Sequence, residues 1–67
     1  MVLNARQSDI LELLDRDQRV SVRKLAATFF VSEMTIRRDL REMERSGYLR
    51  RYNGGAVRAG SEALLPF

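Results

Sequence analysis

The chain has 67 residues, of which 45% are hydrophobic, a length that suits one small domain with a single core. It contains neither Cys nor His, which excludes disulfides and thiolate metal sites and removes the usual general base near neutral pH. No apolar run approaches the roughly 20 residues that span a bilayer, and no signal-peptide pattern is present, so we expect a cytoplasmic protein with no metal, cofactor or membrane partner.

The charge is concentrated in one part of the chain. The whole sequence has twelve basic and nine acidic residues, a formal net charge of +3. Residues 19–58 alone contain ten of the basic and only four of the acidic residues, and Lys24 is the single lysine. The planar guanidinium of arginine suits bidentate contact with phosphate and with guanine. We therefore expect residues 19–58 to bind a polyanionic partner.

The first predicted element is a helix over about residues 5–15. Asn4 is suited to cap it, and Gln7 lies three residues further on, where it completes a capping box. Apolar residues recur on one side at helical spacing: Ile10, Leu13 and Leu14. A polar connection follows, and residues 19–21 are predicted to form a very short extended segment.

Two further helices are predicted over about residues 22–29 and 33–46. Ser21 and Ser32 are suited to cap them. The core-facing stripe of the second helix follows the i, i+3, i+4, i+7 pattern: Val22, Leu25, Ala26 and Phe29. Because only two residues lie between this helix and Ser32, the two helices must cross at a steep angle, which is the helix-turn-helix arrangement.

The third helix has two faces of different character. Its core stripe consists of Ile36, Leu40 and Met43. At about 100° per residue, four side chains lie on the opposite side: Met34, Arg38, Arg41 and Arg45. Thr35 and Arg37 lie on the two flanks. The helix should end at Gly47, because glycine readily adopts the left-handed conformation that terminates helices.

The pattern after Gly47 is that of short strands. Residues 48–52 and 56–58 suit a two-stranded ribbon, separated by Asn53, Gly54 and Gly55. Asn-Gly is the strongest short-range hairpin signal, because both turn positions then take positive φ. The predicted fold is therefore mainly α with a small β-hairpin, a three-helix winged helix-turn-helix.

The third helix and its neighbours supply the candidate DNA contacts. In helix-turn-helix proteins the N-terminal part of the second helix of the motif reaches base edges in the major groove. The candidates for base readout are Met34, Thr35 and Arg38, of which Arg38 is best suited to guanine. The candidates for contact with the DNA backbone are Ser21, Arg23, Lys24, Ser32, Arg37 and Arg41. For Arg23 and Lys24 a solvated helix face is an equally good interpretation.

The hairpin supplies a third group of candidates, a wing made of Arg50, Arg51, Tyr52, Asn53 and Gly54. Arginines beside a tight turn favour contact with the DNA backbone or entry into a minor groove, and a purely structural ribbon is the alternative. Asp39 lies off the apolar stripe and is expected to form an internal ion pair rather than a base contact. No catalytic site is predicted, since Ser32 and Thr35 have no activating base.

Several of these residues together resemble the N-terminal domain of DeoR-type bacterial transcription regulators. The resemblance begins with Arg6, Ile10, Leu11 and Leu14, and continues through Val20-Ser21-Val22, Leu25-Ala26 and Val31-Ser32. Its most specific part is Thr35-Ile36-Arg37-Arg38-Asp39-Leu40, followed by Gly47 and by Gly54-Gly55-Ala56. The one departure is Asn53, where such sequences often have His.

The resemblance implies a winged helix-turn-helix over residues 3–58, with the helix-turn-helix at about 20–39 and the wing at about 48–58. It also implies sequence-specific binding of double-stranded operator DNA by a transcriptional regulator, expected to repress carbohydrate metabolism genes. The alternative is a winged helix that docks an acidic protein partner without sequence-specific DNA binding.

The resemblance also implies a larger C-terminal domain, which in this family usually binds a phosphorylated sugar or related metabolite and mediates oligomerisation. Residues 59–67 are accordingly expected to be a linker toward an effector domain that this chain lacks. We expect the isolated chain to be a monomer or weak dimer and the full-length regulator to be a homo-oligomer.

Overall fold

The computed structural model describes residues 2–60. Its elements follow in the order α1 (Ala5–Asp17), β1 (Arg19–Ser21), α2 (Val22–Phe29), α3 (Glu33–Arg45), β2 (Leu49–Tyr52) and β3 (Gly55–Arg58). The prediction of a mainly α fold with a small β-hairpin is confirmed, and the arrangement is that of a winged helix-turn-helix. The predicted linker falls largely on residues 61–67, which lie outside the described residues.

Local capping contacts begin the helices at the predicted residues. The Asn4 side chain accepts a hydrogen bond from Gln7 N at 2.7 Å, and the Gln7 side chain accepts one from Asn4 N at 3.1 Å. At the start of α3, Ser32 Oγ accepts a hydrogen bond from Thr35 N at 3.1 Å. α1 extends to Asp17, past the predicted end at residue 15. Each of these caps satisfies backbone N–H groups that the first turn of a helix leaves without partners.

α3 is connected to α2 and to β2 by two tight turns. Phe30 ends α2 in the left-handed conformation, with φ +57°. Gly47 ends α3 with φ +88°, where its N–H donates to Glu44 O at 3.0 Å and Tyr48 N–H donates to Met43 O at 3.0 Å. This hydrogen-bond pair is a Schellman motif, the helix end predicted from Gly47.

One hydrophobic core joins the helices and the sheet. Its buried residues are Ile10, Leu14, Val20, Val22, Leu25, Ala26, Ile36, Leu40, Met43, Leu49 and Ala56. The predicted stripe of α3, Ile36, Leu40 and Met43, is no more than 1% exposed and is confirmed. Phe29, predicted to face the core, is only partly buried. α3 is held by this one face, which leaves its opposite face to solvent.

The sheet has three strands rather than the predicted two. The strand order is β1-β3-β2, and both pairings are antiparallel. The extended segment at residues 19–21 is therefore an edge strand, in which Val20 lies opposite Ala56. A strand of three residues is too short for its alternation of buried and exposed side chains to predict which strand it pairs with. The observed register places the buried Val20 opposite the buried Ala56.

The hairpin turn has the predicted position but a different conformation. Gly54 has φ +91°, whereas the only non-glycine residues of 2–60 with positive φ are Gln18 and Phe30. The prediction that both turn positions take positive φ is therefore wrong for Asn53. A positive φ at the second position alone fits a type II turn. In this conformation Gly54 O accepts a hydrogen bond from Val22 N at 2.9 Å, a tertiary contact that the local turn preference does not include.

An ion pair between the partly exposed Arg6 and the buried Asp39 joins α1 to the middle of α3. Asp39 is 2% exposed, and Arg6 donates hydrogen bonds to both of its carboxylate oxygens, from Nε and, at 3.1 Å, from Nη2. The neighbouring Gln7, 1% exposed, donates from Nε2 to Asp39 O at 3.4 Å and to Glu42 Oε1 at 2.9 Å. The predicted internal ion pair of Asp39 is confirmed, and its partner is Arg6.

We predict that Gly55→Ala lowers the free energy of unfolding by about 3 kcal/mol, the upper end of the usual cost of overpacking. A Cβ at this position would lie 2.2 Å from Val20 O and 2.8 Å from the Tyr52 hydroxyl oxygen. Gly54→Ala is the matched control, because its Cβ meets nothing within 4 Å and only the left-handed φ is strained, at about 1 kcal/mol. Urea denaturation followed by circular dichroism measures both losses, and equal losses would contradict the close approach of β1 to β3.

We predict that Arg6→Met lowers the free energy of unfolding by about 2–4 kcal/mol, because it leaves the Asp39 carboxylate buried without a charged partner. Adding Asp39→Leu should recover much of this loss, since well-packed hydrophobic residues can replace a buried ion pair at little cost. A double-mutant cycle by chemical denaturation measures the coupling. If Arg6→Met lowered the free energy of unfolding equally in the presence of Asp39 and of Asp39→Leu, the ion pair would not anchor α3.

Candidate nucleic-acid interface

The outer face of α3 is exposed and basic. Met34 is 72% exposed, and Arg38 follows it by one helical turn on the same side. Arg38 and Arg41 are exposed and have no hydrogen-bonding or ion-pair partner within residues 2–60. Their guanidinium groups are therefore available to an anion, while the opposite face of the helix holds it to the core. A helix mounted in this way fits the major groove of DNA.

The N-terminus of α3 collects three more of the predicted contact residues. Ser32 Oγ and Thr35 Oγ1 are 3.0 Å apart, and both hydroxyls lie where the helix dipole favours negative charge. Arg37 donates from Nη2 to Glu33 Oε1 at 2.9 Å, in an exposed pair one turn apart. Exposed pairs of this kind contribute at most about 1 kcal/mol, so a phosphate can replace Glu33 as the partner of Arg37.

The start of α2 and the hairpin turn lie side by side. Ser21 Oγ caps α2 by accepting a hydrogen bond from Lys24 N at 3.2 Å. Arg23 and Lys24 are exposed, and neither has an ion-pair partner among the described residues. The hydrogen bond from Val22 N to Gly54 O joins this first turn to the wing. The structure thus brings the predicted backbone contacts of α2 next to the tip of the hairpin.

One wing arginine holds the hairpin to α3. Glu44 accepts hydrogen bonds from Arg51 N at 2.8 Å and from Arg51 Nε at 2.9 Å. The backbone hydrogen bond and then the guanidinium lower the pKa of Glu44 below its ordinary value of 4.5. A carboxylate with a lowered pKa stabilises the folded state above its ordinary pKa, and this contribution is lost as the pH falls through the lowered pKa. At neutral pH, therefore, Arg51 is engaged within the chain.

The other wing residues face solvent. Arg50 is exposed and has no partner of its own within residues 2–60. Tyr52 is 47% exposed, and its hydroxyl donates to Val20 O at 3.4 Å. Asn53 and Gly54 are exposed at the tip. The five predicted wing residues are thus contiguous in space, with Arg51 alone directed toward α3.

Acidic side chains do not neutralise the free arginines. Each of the four carboxylates in residues 19–58 already accepts from another side chain, in the pairs Glu33–Arg37, Asp39–Arg6, Glu42–Gln7 and Glu44–Arg51. On α1, Asp15 pairs with Arg58, and Asp17 accepts from Arg16 Nε at 3.1 Å. The positive charge of the helix-turn-helix and wing is therefore left for an external anion.

Sequence reasoning missed three residues that shape this surface. Arg6 holds α3 through Asp39, 33 residues away, and Glu44 holds the wing through Arg51, 7 residues away. Arg19 is exposed on β1 and has no described partner. Its position became apparent only with the pairing of β1 and β3, for which the sequence gives no local signal.

Residues 2–60 contain no group of three or more acidic or metal-ligating side chains placed to hold a metal ion. Among the same residues no helix has the length and hydrophobicity needed to cross a membrane.

Comparison with known proteins identifies several relatives. The DeoR-like helix-turn-helix domain matches residues 6–62. The transcriptional repressor AccR of Agrobacterium fabrum is 45% identical over 60 residues, which cover 85% of this chain and 23% of that protein. The HTH-type transcriptional regulator GolR of Listeria innocua is 42% identical over 57 residues, covering 85% of this chain and 22% of that protein.

A third relative is shorter. The putative galactitol utilization operon repressor of Escherichia coli is 40% identical over 60 residues, covering 87% of this chain and 54% of that protein. The chain thus spans between about a fifth and about half of the length of these three relatives. No solved structure matches the chain significantly. Because the family match covers most of the sequence and agrees with the helix-turn-helix in the structure, the chain belongs to the DeoR-like helix-turn-helix family.

Proposed function

We propose that this chain is the DNA-binding domain of a bacterial transcriptional repressor and that it reads double-stranded operator DNA with α3. The observation on which the proposal depends is that Arg38 and Arg41 are exposed and unpaired on a helix whose other face is buried in the core. The names of the relatives, two repressors and one regulator, support the same function. The galactitol operon of one relative supports carbohydrate metabolism genes as the target.

In the proposed complex, α3 lies in the major groove with its N-terminal half at the base edges. Arg38 donates to a guanine, and Met34 contacts a neighbouring base through its apolar side chain. Thr35 lies beside them at the start of the helix. Phosphate contacts position a protein on DNA, whereas base contacts give it sequence preference. Met34, Thr35 and Arg38 are accordingly the residues we propose for base readout.

The backbone contacts surround this helix. Ser32, Arg37 and Arg41 face phosphates beside the major groove, and Ser21, Arg23 and Lys24 do so from the start of α2. Arg50 and Tyr52 contact an adjacent part of the backbone from the wing, together with Asn53 and Gly54 at its tip. We assign Arg51 mainly to holding the wing, given its hydrogen bonds with Glu44.

The regulator in which this domain acts is proposed to be a cytoplasmic homo-oligomer. Repression then follows from occupation of a promoter, and a phosphorylated sugar relieves it by binding an effector domain outside this chain. The isolated chain binds a half-site as a monomer or weak dimer. Its affinity depends steeply on salt, because each neutralised phosphate releases counterions.

We predict that Arg38→Ala weakens binding to a preferred duplex by about 1–3 kcal/mol and removes discrimination at one base pair. The preferred duplex comes from selection out of a random pool with the purified full chain. Arg41→Ala is the matched control on the same helix face. It should weaken preferred and unrelated duplexes alike and reduce the slope of log K against log salt by about one.

Fluorescence anisotropy with single-base variants of the selected duplex, at several salt concentrations, measures both effects. An equal loss from Arg38→Ala on every duplex would remove Arg38 from base readout. A random pool that yields no preferred sequence would contradict the proposed function and favour a winged helix that docks an acidic protein.

A further inference from the structure

The solvent-facing side of the sheet is a second basic surface, distinct from α3. Directly opposed residues of an antiparallel sheet point to the same side, so the strand register shows which side chains share this face. Arg19 lies opposite Val57, and Val57 lies opposite Arg50. The adjacent row is Ser21, Gly55 and Tyr52. We call these two rows the outer sheet face.

Two arginines therefore lie in one row on either side of a central apolar residue. Arg19 and Arg50 are exposed, and Val57 between them is partly buried. Strands are spaced by about 4.8 Å, so the Cα atoms of the two arginines are about 10 Å apart across β3. A DNA strand has one phosphate per about 3.4 Å of helix axis, so two side chains at this separation can meet different phosphates of one backbone.

The carboxylates nearest to this face are already occupied. Glu44, whose charge acts on Arg50, accepts two hydrogen bonds from Arg51. Asp17, at the end of α1, accepts from Arg16 Nε at 3.1 Å and from Arg16 Nη2 at 3.2 Å. Arg19 itself has no partner within residues 2–60. The outer sheet face thus keeps an uncompensated positive charge.

This face is continuous with the start of α2. Ser21 belongs to the second row of the face and is also the N-cap of α2. The hydrogen bond from Val22 N to Gly54 O closes the gap between α2 and the tip of the wing. Arg19, Lys24 and Tyr52 line one depression of about 490 Å³, together with the paired Arg16 and Asp17 of α1. A phosphate backbone that passes the first turn of α2 therefore passes Tyr52 and Arg19 next, and Arg50 lies across β3 from Arg19.

We infer that the outer sheet face binds the DNA backbone flanking the site read by α3, with Arg19 and Arg50 each neutralising a phosphate. The partner is double-stranded DNA, because the face offers spaced guanidinium groups to phosphates and adjoins the first turn of α2 and the wing tip, which the proposed function places against the DNA backbone. In the adjacent row, the Tyr52 side chain fills the space above Gly55. This inference rests on the proposed function and adds Arg19, on a strand outside the helix-turn-helix and the hairpin, to its contacts.

The test compares Arg19→Gln with Arg16→Gln in the full chain. Both substitutions remove one exposed positive charge, but Arg16 is already paired with Asp17. Arg19→Gln should flatten the slope of log K against log salt by about 0.9, so the affinity lost between 50 and 200 mM salt shrinks about 3.5-fold. Arg16→Gln and the charge-preserving Arg19→Lys should keep the slope of the unmodified chain. The base preference of all three variants should stay unchanged, since no base contact is altered.

A second measurement uses the unmodified protein and modified DNA. Neutral methylphosphonates are placed singly along the flanks of the selected duplex. At one flanking position the methylphosphonate should lower the DNA affinity of the unmodified chain but not that of Arg19→Gln. That position identifies the phosphate that Arg19 contacts. This measurement also tests the inference if an Arg19 variant proves unstable. The unmodified chain should then lose affinity when flanking phosphates are neutralised, at positions other than those whose neutralisation no longer matters in Arg41→Ala.

Failures of the two proposals are distinguishable. Sequence-specific binding that depends on Arg38, combined with an unchanged salt slope for Arg19→Gln, would overturn this inference and leave the proposed function intact. Equal changes for Arg19→Gln and Arg16→Gln would also overturn it, because they would indicate a general charge effect. Absence of any preferred duplex would overturn both proposals.

Discussion

The structure depends on how α3 is seated, because this one helix must supply both a core face and a DNA-binding face. Hydrophobic contact through Ile36, Leu40 and Met43 holds the helix against the rest of the domain, but such contact is non-directional. The Arg6–Asp39 ion pair is directional: a bidentate pair requires a defined orientation of both groups. Because Asp39 directly follows Arg38 in the helix, fixing the rotation of Asp39 toward α1 also fixes the rotation of Arg38 toward solvent.

The second constraint is the separation of paired from unpaired charge. Asp39 is deeply buried, so its carboxylate would lower the stability of the fold if it had no partner. Glu33, Glu44 and Asp17 are at least partly exposed, and their ion pairs contribute little to stability. These weaker pairs matter for a different reason. They occupy the carboxylates near the basic surface, so that Arg38, Arg41 and Arg19 have no ion-pair partner within residues 2–60. Net charge alone, at +3, would not reveal this surface.

The sequence was sufficient for features that depend on contacts within a few residues. The Asn4–Gln7 capping box, the Ser32 cap and the helix end at Gly47 were predicted correctly, since each is formed within one turn of chain. The core stripe of α3 was also predicted, and with it the exposure of its opposite face. The position of Asp39 beside the core stripe predicted an internal ion pair. It did not predict the partner, because Arg6 lies 33 residues away.

Features that depend on tertiary contacts were missed or wrong. The pairing of β1 with β3 joins segments distant in sequence, and the engagement of Arg51 by Glu44 joins the wing to α3; neither contact has a local pattern that predicts it, and the φ of Asn53 departs from the usual preference of an Asn-Gly turn. The contacts with DNA proposed for individual residues depend on a partner molecule and stay predictions. What the structure adds is their common placement around α3, α2 and the wing.

The wing and α2 form a single unit, and this determines how α3 can meet DNA. The backbone hydrogen bond between Val22 and Gly54 and the close approach of Val20 O to Gly55 join them without any long side chain. Glu44 then joins the wing to α3 itself. Phosphate contacts of the kind proposed for α2 and for the sheet would therefore act on α3 through these hydrogen bonds. Under the proposed function, the sequence-independent contacts would set the depth and angle of α3 in the groove, and with them the reach of Arg38 toward a base edge.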